Sequence, residues 1–212
     1  MRFALSQERQ QFADTLHRAL EHPPYDLAAL GVTELAQESP VDLAVAFEEL
    51  GHHAVPGPLA DSIVGRAFEL GALAVAAQLL GSGRAMLELS VDHARRRTQF
   101  GRPIGAFQAV RHQLADVHVA LELARPLVFG AAVTLEPRDV SAAKVAAGEA
   151  AYRAARTALQ VHGAIGYTLE YPLSRWLTTV RALRASWGTP AFHRDRIMTE
   201  LCHGVLLGGT PV

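Results

Sequence analysis

Two long apolar runs with helical spacing meet at a short break in the sequence, and this arrangement restricts the possible folds more than any other feature. The first run extends from Leu59 to about His93, and the second begins at Phe107. Gly101, Pro103 and Gly105 lie between them, and residues of these types end helices. The pattern therefore predicts a tight turn between two core helices. The second helix would bury one apolar face, formed by Val110, Leu114, Val117, Leu121 and Val128.

The rest of the chain also has helical patterning. An Ala-rich helix is predicted from Ser141 to His162, where small residues permit close helix packing, and a last helix from about Pro190 to Leu206. The alternating pattern of a β-strand is absent from the sequence. We therefore predict an all-α fold in which three long helices and one shorter helix form a four-helix bundle.

Ahead of the bundle, the sequence predicts a short helical extension. Ser6 and Ser39 have the side chains that cap helix N-termini, and Pro40 suits the first helical turn. The rigid Pro56-Gly57-Pro58 turn is the clearest candidate for a domain boundary in the chain. We therefore predict an N-terminal helical segment over residues 1–58 and a C-terminal helical bundle over 59–212.

Charge and composition exclude several classes of partner. The formal net charge of −1 argues against nucleic acid or an anionic membrane surface. No uninterrupted apolar segment reaches the roughly 18 residues of a membrane span. Cys202 is the only cysteine, so an intrachain disulfide cannot form, and the N-terminus turns polar too early for a signal peptide. We expect a cytoplasmic protein.

Common signatures of chemistry are missing from the sequence. Gly81-Ser82-Gly83 is a lone Gly-x-Gly in a helical context, so a dinucleotide fingerprint is not expected. His52, His53, His112 and His118 lack metal-ligand spacing with a carboxylate or thiolate, so we expect no metal site.

Three motifs, taken in order, carry more information. The corner from Arg97 to Gln108 reads Arg-x-x-Phe-Gly-x-Pro-Ile-x-x-Phe-Gln, although its arginines alone would suit an ordinary helix C-terminus. A second stretch runs from Gln160 through Gly163 to Pro172, and a third is Ser186-Trp187-Gly188-Thr189. Together they resemble the acyl-CoA dehydrogenase family, over nearly the whole chain.

The resemblance implies a shared flavin site. In the family, FAD lies between two subunits, one of which gives a β-domain and the catalytic base, while its neighbour gives the corner and the second motif. By motif position this chain has the neighbour's set, with Arg97 expected at the pyrophosphate and the two later glutamines toward the adenine and ribitol. The expected cofactor-binding residues are Arg97, Gln99, Phe100, Gln108, Gln160 and Gly163.

The other half of that site is missing. The family's small β-domain would lie between Pro58-Leu59 and the helix at Phe68, where this chain has essentially no insertion. The two positions that hold the family's carboxylate base correspond here to Trp187 and Gly71. Ala191 also replaces a glutamine, and Ala164 a glycine, of the family pattern. We therefore expect no catalytic residue in this chain.

These features imply a non-catalytic subunit of a flavin-dependent acyl-CoA dehydrogenase, which introduces an α,β double bond into an acyl-CoA. A full-length partner would hold most of the acyl-CoA and share FAD, as in actinobacterial α2β2 members that oxidise steroid-derived CoA thioesters. Two alternatives remain open at this stage. One is a structural or regulatory paralogue that binds no flavin, and the other is a flavin-free enzyme that uses Glu170 or His162.

Overall fold

The fold is built almost entirely from helices, as the sequence predicts. The computed structural model describes residues 5–65 and 67–206, with side chains described up to Cys202. Within those ranges the only strands are two segments of two residues each, so the all-α prediction is confirmed. The helices are α1 Gln7–Ala19, α2 Leu35–Glu38, α3 Pro40–His52, α4 Leu59–Val64, α5 Phe68–Arg96, α6 Gln108–Thr134, α7 Pro137–His162, α8 Leu173–Ala185 and α9 Pro190–Leu206; the strands are β1 Thr98–Gln99 and β2 Arg102–Pro103.

Helices α5, α6 and α7 form the centre of the bundle. The imidazole rings of His93 and His162, near the C-terminal ends of α5 and α7, have centroids 4.4 Å apart, and Leu79 lies beside Gly148 farther back on each helix, so these helices run parallel. Helix α6 runs antiparallel to both, because Gly105 lies beside Ala94 and Leu121 beside Gly83. Helix α9 packs against α7 as the shorter fourth helix of the predicted bundle, and α8 packs against both α5 and α7.

Helix α3 crosses α5 with their backbones in contact. A β-carbon added to Gly51 would lie 2.0 Å from the carbonyl oxygen of Gln78, and one added to Gly81 would lie 1.8 Å from that of Glu48. The Ser82 hydroxyl also donates a hydrogen bond to the Gly51 carbonyl, at 3.2 Å. Helix-interior glycines usually cost about 1 kcal/mol relative to alanine, and here they permit the crossing.

Three local features differ from the prediction. Gly65, with a φ of 69°, separates α4 from α5, where one continuous helix was expected. Helix α7 begins at Pro137, four residues before the expected Ser141, because proline suits the first helical turn. The residues from Asp26 to Leu30 would suit a short helix closed by Gly31, but they form a turn in which the Asp26 carboxylate accepts a hydrogen bond from the backbone of Ala29.

The predicted division at Pro58 remains a prediction. Phe47 and Leu50 from the N-terminal segment belong to the same buried cluster as Leu73 and Leu79 from the bundle. The two predicted units therefore share one hydrophobic core within the described residues. Residues 1–4, 66 and 207–212 of the predicted units lie outside that part of the chain.

Among the described residues, two helices are long and apolar enough to cross a membrane by length and composition, although neither is an uninterrupted apolar run. In α5, 83% of the most apolar window is buried inside the protein, which is the expected environment of a core helix. In α6 the buried share is 39%, and Val119, Leu123 and Leu127 lie exposed along one face. The cytoplasmic location therefore stays a prediction.

Candidate functional site

The corner between α5 and α6 is a small β-hairpin. Thr98 pairs with Pro103 and Gln99 with Arg102 in antiparallel register. The two residues at its tip, Phe100 and Gly101, have φ values of 51° and 75°. Positive φ at both central positions is typical of the type I′ turn that fits tight hairpins. This turn leaves the Phe100 side chain 91% exposed.

Backbone hydrogen bonds hold the hairpin against the end of α5. The Arg97 N–H donates to the His93 carbonyl at 2.8 Å, and the Ile104 N–H donates to the Arg97 carbonyl, also at 2.8 Å. On the other side the Arg102 guanidinium lies 4.2 Å from the centre of the Phe107 ring. Arg97 and Phe100 therefore project from a fixed corner.

The end of α7 lies beside this corner. The contact between His93 and His162 brings Gln160 and Gly163 to the same end of the bundle as Arg97. Gly163 has a φ of 62° and donates its N–H to the Leu159 carbonyl, which ends the helix. The Gly163 backbone is open, since no heavy atom lies within 4 Å of where its β-carbon would be.

The six expected cofactor residues share one end of the bundle but occupy more than one face. Gln160 lines a surface cavity of about 780 Å³ together with Gln113, Arg156 and Tyr167. None of the corner residues lines this cavity. Gln108 and Gln113 are separated by about 7.5 Å along α6 and by about 140° around it. Arg156 and Tyr167 were not among the predicted site residues, because their placement beside Gln160 depends on helix packing.

The side chains at this end suit a dinucleotide cofactor chemically. Arg97, Gln99, Gln108 and Gln160 are exposed, and none makes a side-chain hydrogen bond within the part of the chain that the structure describes. A guanidinium can form paired, charge-assisted hydrogen bonds with a phosphate. Carboxamides can donate to and accept from an adenine edge or a polyol. The residues present therefore fit FAD, with their donors free for it.

A pair of neutral imidazoles lies under this surface. The pKa of His93 is lowered by burial, and further by His162 and the Arg97 guanidinium. Burial likewise lowers the pKa of His162, although its hydrogen bond to the Ala158 carbonyl acts in the opposite direction. With that 2.8 Å bond donated by Nδ1, Nε2 of His162 is left buried without a partner. Of the two residues named for the flavin-free alternative, His162 is buried, with 5% of its surface exposed, and Glu170 lies on the protein surface.

The two expected base positions lie in contact with each other. A β-carbon on Gly71 would lie 2.2 Å from Cζ3 of Trp187, whose ring also packs near Phe68. The nearest carboxylate in the α5 sequence is Glu69, which forms an ion pair with Arg196. Neither expected position carries a carboxylate, and Glu69 already has a cationic partner.

A second group of polar residues lies together in the fold although its sequence spacing does not predict a metal site. His17 from α1 meets Glu49 and His52 from α3, and His53 directly after it. The adjacent pair of histidines was visible in the sequence, but His17 lies more than 30 residues away. Only the packing of α1 on α3 brings the four together.

Comparison with known proteins places this geometry in a family context. The family model described as "Acyl-CoA dehydrogenase, C-terminal domain" matches residues 62–202. The 3-sulfinopropanoyl-CoA desulfinase of Paraburkholderia xenovorans is 41% identical over 133 residues, which are 61% of this chain and 33% of the relative. Acyl-CoA dehydrogenase IpdE2 of Mycobacterium tuberculosis is 40% identical over 102 residues, 48% of this chain and 32% of the relative. The chain thus spans about a third of the length of these curated relatives.

One solved structure matches over almost its full length. A chain from a variant of the Tcur3481–Tcur3483 steroid acyl-CoA dehydrogenase superposes with a TM-score of 0.79. The match covers 94% of this chain and 98% of that chain, at 18% sequence identity. This likeness shows a shared fold, in which both chains consist of helices of similar extent.

Proposed function

The chain belongs to the acyl-CoA dehydrogenase family, and from that membership we propose that it is the subunit that supplies one half of a shared FAD site to a catalytic partner. The observation that carries the proposal is that this chain has the residues of one half of the family's FAD site and lacks those of the other half. The exposed hydrogen-bonding residues at the corner and at the end of α7 are present, whereas the base positions hold Trp187 and Gly71.

FAD is the cofactor of this family, which confirms the cofactor prediction at the family level. When bound, FAD would supply the acceptor for a hydride from the β-carbon of the acyl group. In our proposal this chain contributes only binding and orientation. Arg97 would hold the pyrophosphate, Phe100 would cover part of the cofactor, and Gln108 and Gln160 would hydrogen-bond toward its adenine and ribitol. Gln99 and the open backbone at Gly163 would complete this half.

The partner would supply what is missing. Removal of a proton next to a thioester requires a positioned carboxylate, and neither family position in this chain has one. The chain also lacks the family's middle domain, since only residues 65–67 separate α4 from α5. A full-length acyl-CoA dehydrogenase has both parts. We therefore propose such a partner, which would also hold most of the acyl-CoA.

The likeness to a short chain of a two-protein steroid enzyme supports this arrangement. By analogy we propose an α2β2 assembly with a steroid-derived acyl-CoA as substrate. The desulfinase among the relatives is a reminder that the family's reactions vary.

The decisive experiment is co-expression with a full-length dehydrogenase from the same gene neighbourhood. We expect a complex with the mass of α2β2 and two flavins, measured by light scattering and by flavin absorbance. Arg97→Ala should empty the flavin site while the mass of the complex stays the same. Arg96→Ala is the matched control, because it removes the same charge from the same helix end, but Arg96 pairs with Asp92.

Two outcomes would contradict the proposal. If the purified chain alone oxidised an acyl-CoA, it would be an enzyme in its own right. If a complex formed and Arg97→Ala left both its flavin content and its activity unchanged, the chain would be a structural or regulatory subunit that does not contact FAD.

A further inference from the structure

Three histidines and a glutamate converge between the first helix and the end of α3. One potential ligand atom from each of His17, Glu49, His52 and His53 lies within 4.8 Å of the others. The three imidazole rings are mutual neighbours, with centroids 4.5 to 5.1 Å apart. The group lies far in sequence from the corner and plays no part in the proposed FAD site.

The fold brings the four residues together in a simple way. Glu49, His52 and His53 follow the i, i+3, i+4 spacing that places side chains on one helical face. His17 lies in the last turn of α1, which packs on that face. The Glu49 carboxylate is almost fully buried, with 8% of its side chain exposed. This side of the protein therefore has a buried anion among three imidazoles.

Hydrogen bonds within the group do not satisfy all of its atoms. Nδ1 of His17 lies 2.8 Å from Oε2 of Glu49 and 3.2 Å from Nε2 of His53. A single N–H of His17 would have to serve both neighbours. A proton placed instead on His53 would leave the His17 nitrogen and the Glu49 oxygen as two acceptors 2.8 Å apart. A cation between these atoms would satisfy all three.

His52 provides a second and independent indication. Its Nε2 lies 2.9 Å from Oε2 of Glu88, so this nitrogen can donate its proton to the carboxylate. In that tautomer Nδ1 carries a free lone pair, and Nδ1 of His52 is buried without any hydrogen-bond partner. A carboxylate that orients a histidine through its other nitrogen is a common outer-shell feature of zinc sites.

We propose that His17, Glu49, His52 and His53 bind one divalent transition-metal ion, with zinc as the best fit. Three imidazoles and one carboxylate are ligands that zinc accepts in tetrahedral geometry. Bond lengths of about 2.0–2.1 Å imply ligand pairs about 3.3 Å apart. The 2.8 and 3.2 Å separations lie near this value, and all four ligand atoms lie within 4.8 Å of one another.

The surroundings suit a closed, structural ion. Four protein ligands leave no open position for substrate, so the ion would join α1 to α3 rather than catalyse a reaction. The other oxygen of Glu49 lies 3.5 Å from the Arg84 guanidinium, which orients the carboxylate. His52 and His53 also line a cavity of about 540 Å³ that provides a path for the ion.

The test uses the full chain purified without a histidine tag and treated with a chelator. Zn²⁺ is titrated in competition with a chromophoric chelator, and bound metal is counted by mass spectrometry of the element. We expect one zinc per chain, and Co²⁺ in its place should give the intense visible absorption of a tetrahedral site. Metal should also raise the melting temperature.

Variants separate this site from adventitious binding. His53→Gln should weaken zinc binding by on the order of 100-fold or more, and Glu88→Gln, which removes only the outer-shell carboxylate, by about 10- to 100-fold. His112→Gln is the matched control, because His112 is an exposed histidine on α6, and it should change nothing. Circular dichroism checks that each variant is folded.

The proposal is overturned if the wild-type chain takes up well under one equivalent of zinc, or if Co²⁺ gives only the weak spectrum of an octahedral ion. It is also overturned if folded His53→Gln binds zinc as tightly as the His112→Gln control. The wild-type zinc stoichiometry and cobalt spectrum test the proposal even if one of the variants fails to fold. None of these results depends on flavin or on a partner.

Discussion

The ring of Trp187 fills the space that a side chain at Gly71 would occupy, with Cζ3 only 2.2 Å from where a β-carbon on Gly71 would lie. These are the two positions at which acyl-CoA dehydrogenases of different kinds are expected to carry their base. Because the two positions lie in contact, a carboxylate at either one would occupy the same region of the fold. In this chain a large apolar ring on one position and a missing side chain on the other fit together instead.

The first prediction concerns this contact. Gly71→Ala should lower the free energy of unfolding by about 1 to 3 kcal/mol, because the added methyl group overlaps the Trp187 ring. In a Trp187→Ala background the same change should cost much less. Chemical denaturation of the four proteins in this double-mutant cycle measures the coupling.

A matched glycine serves as control. Gly130 lies inside α6 with no atom within 4 Å of its missing β-carbon. Gly130→Ala should therefore stabilise the protein by up to about 1 kcal/mol, through helix propensity alone. Equal destabilisation by both alanine substitutions would show that the Gly71–Trp187 contact is irrelevant to stability.

The second prediction concerns the crossing of α3 and α5. Gly81→Ala would place a methyl group 1.8 Å from the Glu48 carbonyl oxygen, which belongs to the backbone and cannot rotate away. We expect a loss of roughly 3 kcal/mol or more in unfolding free energy. Gly148→Ala is the control, since its nearest neighbours lie at 3.9 Å. Thermal and urea unfolding of both variants would decide, and a stable Gly81→Ala protein would contradict the observed crossing.

The third prediction concerns the exposed tip of the hairpin. Phe100→Ala should weaken flavin binding in the partner complex by about tenfold, the equivalent of roughly 1.4 kcal/mol of lost aromatic contact. The melting temperature of the isolated chain should not change, because the ring is 91% exposed. Val133→Ala, at the other end of α6 and 76% exposed, should affect neither quantity. Flavin titration of the deflavinated complex measures the effect.

The fourth prediction concerns the buried Lys144. Its ammonium group donates to the Leu183 carbonyl at 3.0 Å, yet burial, with a smaller effect from Arg184, lowers its pKa from 10.5 to about 8. Between these pH values the unfolded chain holds a proton that the folded chain has lost. Stability should therefore rise with pH across this window, by roughly 1.4 kcal/mol per unit, and stay constant below it.

Lys144→Met isolates this effect, because it keeps a long unbranched side chain without the titrating group. The difference in unfolding free energy between wild type and variant, measured in urea at pH 7.5 and 9.5, should grow in favour of the wild type at the higher pH. A pH-independent difference would mean that Lys144 keeps its ordinary pKa in the folded protein.

Features that depend on neighbouring residues were predictable. Ser6 and Ser39 cap their helices as expected, because each side chain accepts a hydrogen bond from a backbone N–H only three residues later. The turn between Arg97 and Gln108 was predicted from glycine and proline at fixed positions in one short segment, although its hairpin form was not. Residues of the expected FAD half-site were identifiable for the same reason, since each lies within a local motif; that they bind FAD stays a prediction.

Features that depend on contacts between distant residues were not predictable from the sequence. The break between α4 and α5 at Gly65 was not predicted, because a glycine inside a long helical run is equally compatible with close helix packing. His17 and Glu49 are 32 residues apart, so no local spacing could signal their hydrogen bond. The placement of Arg156 and Tyr167 beside Gln160 likewise depends on how separate elements meet.

The sequence by itself determined the helical class, the corner and the family, because helix periodicity, caps and turn residues act over a few positions. The tertiary structure alone decided which distant groups share space: Trp187 over Gly71, Gly81 against α3, and three histidines around Glu49. The physical reason is that close packing selects among the many helix arrangements that one apolar pattern permits. Side chains 30 to 120 residues apart acquire their chemistry only after that selection.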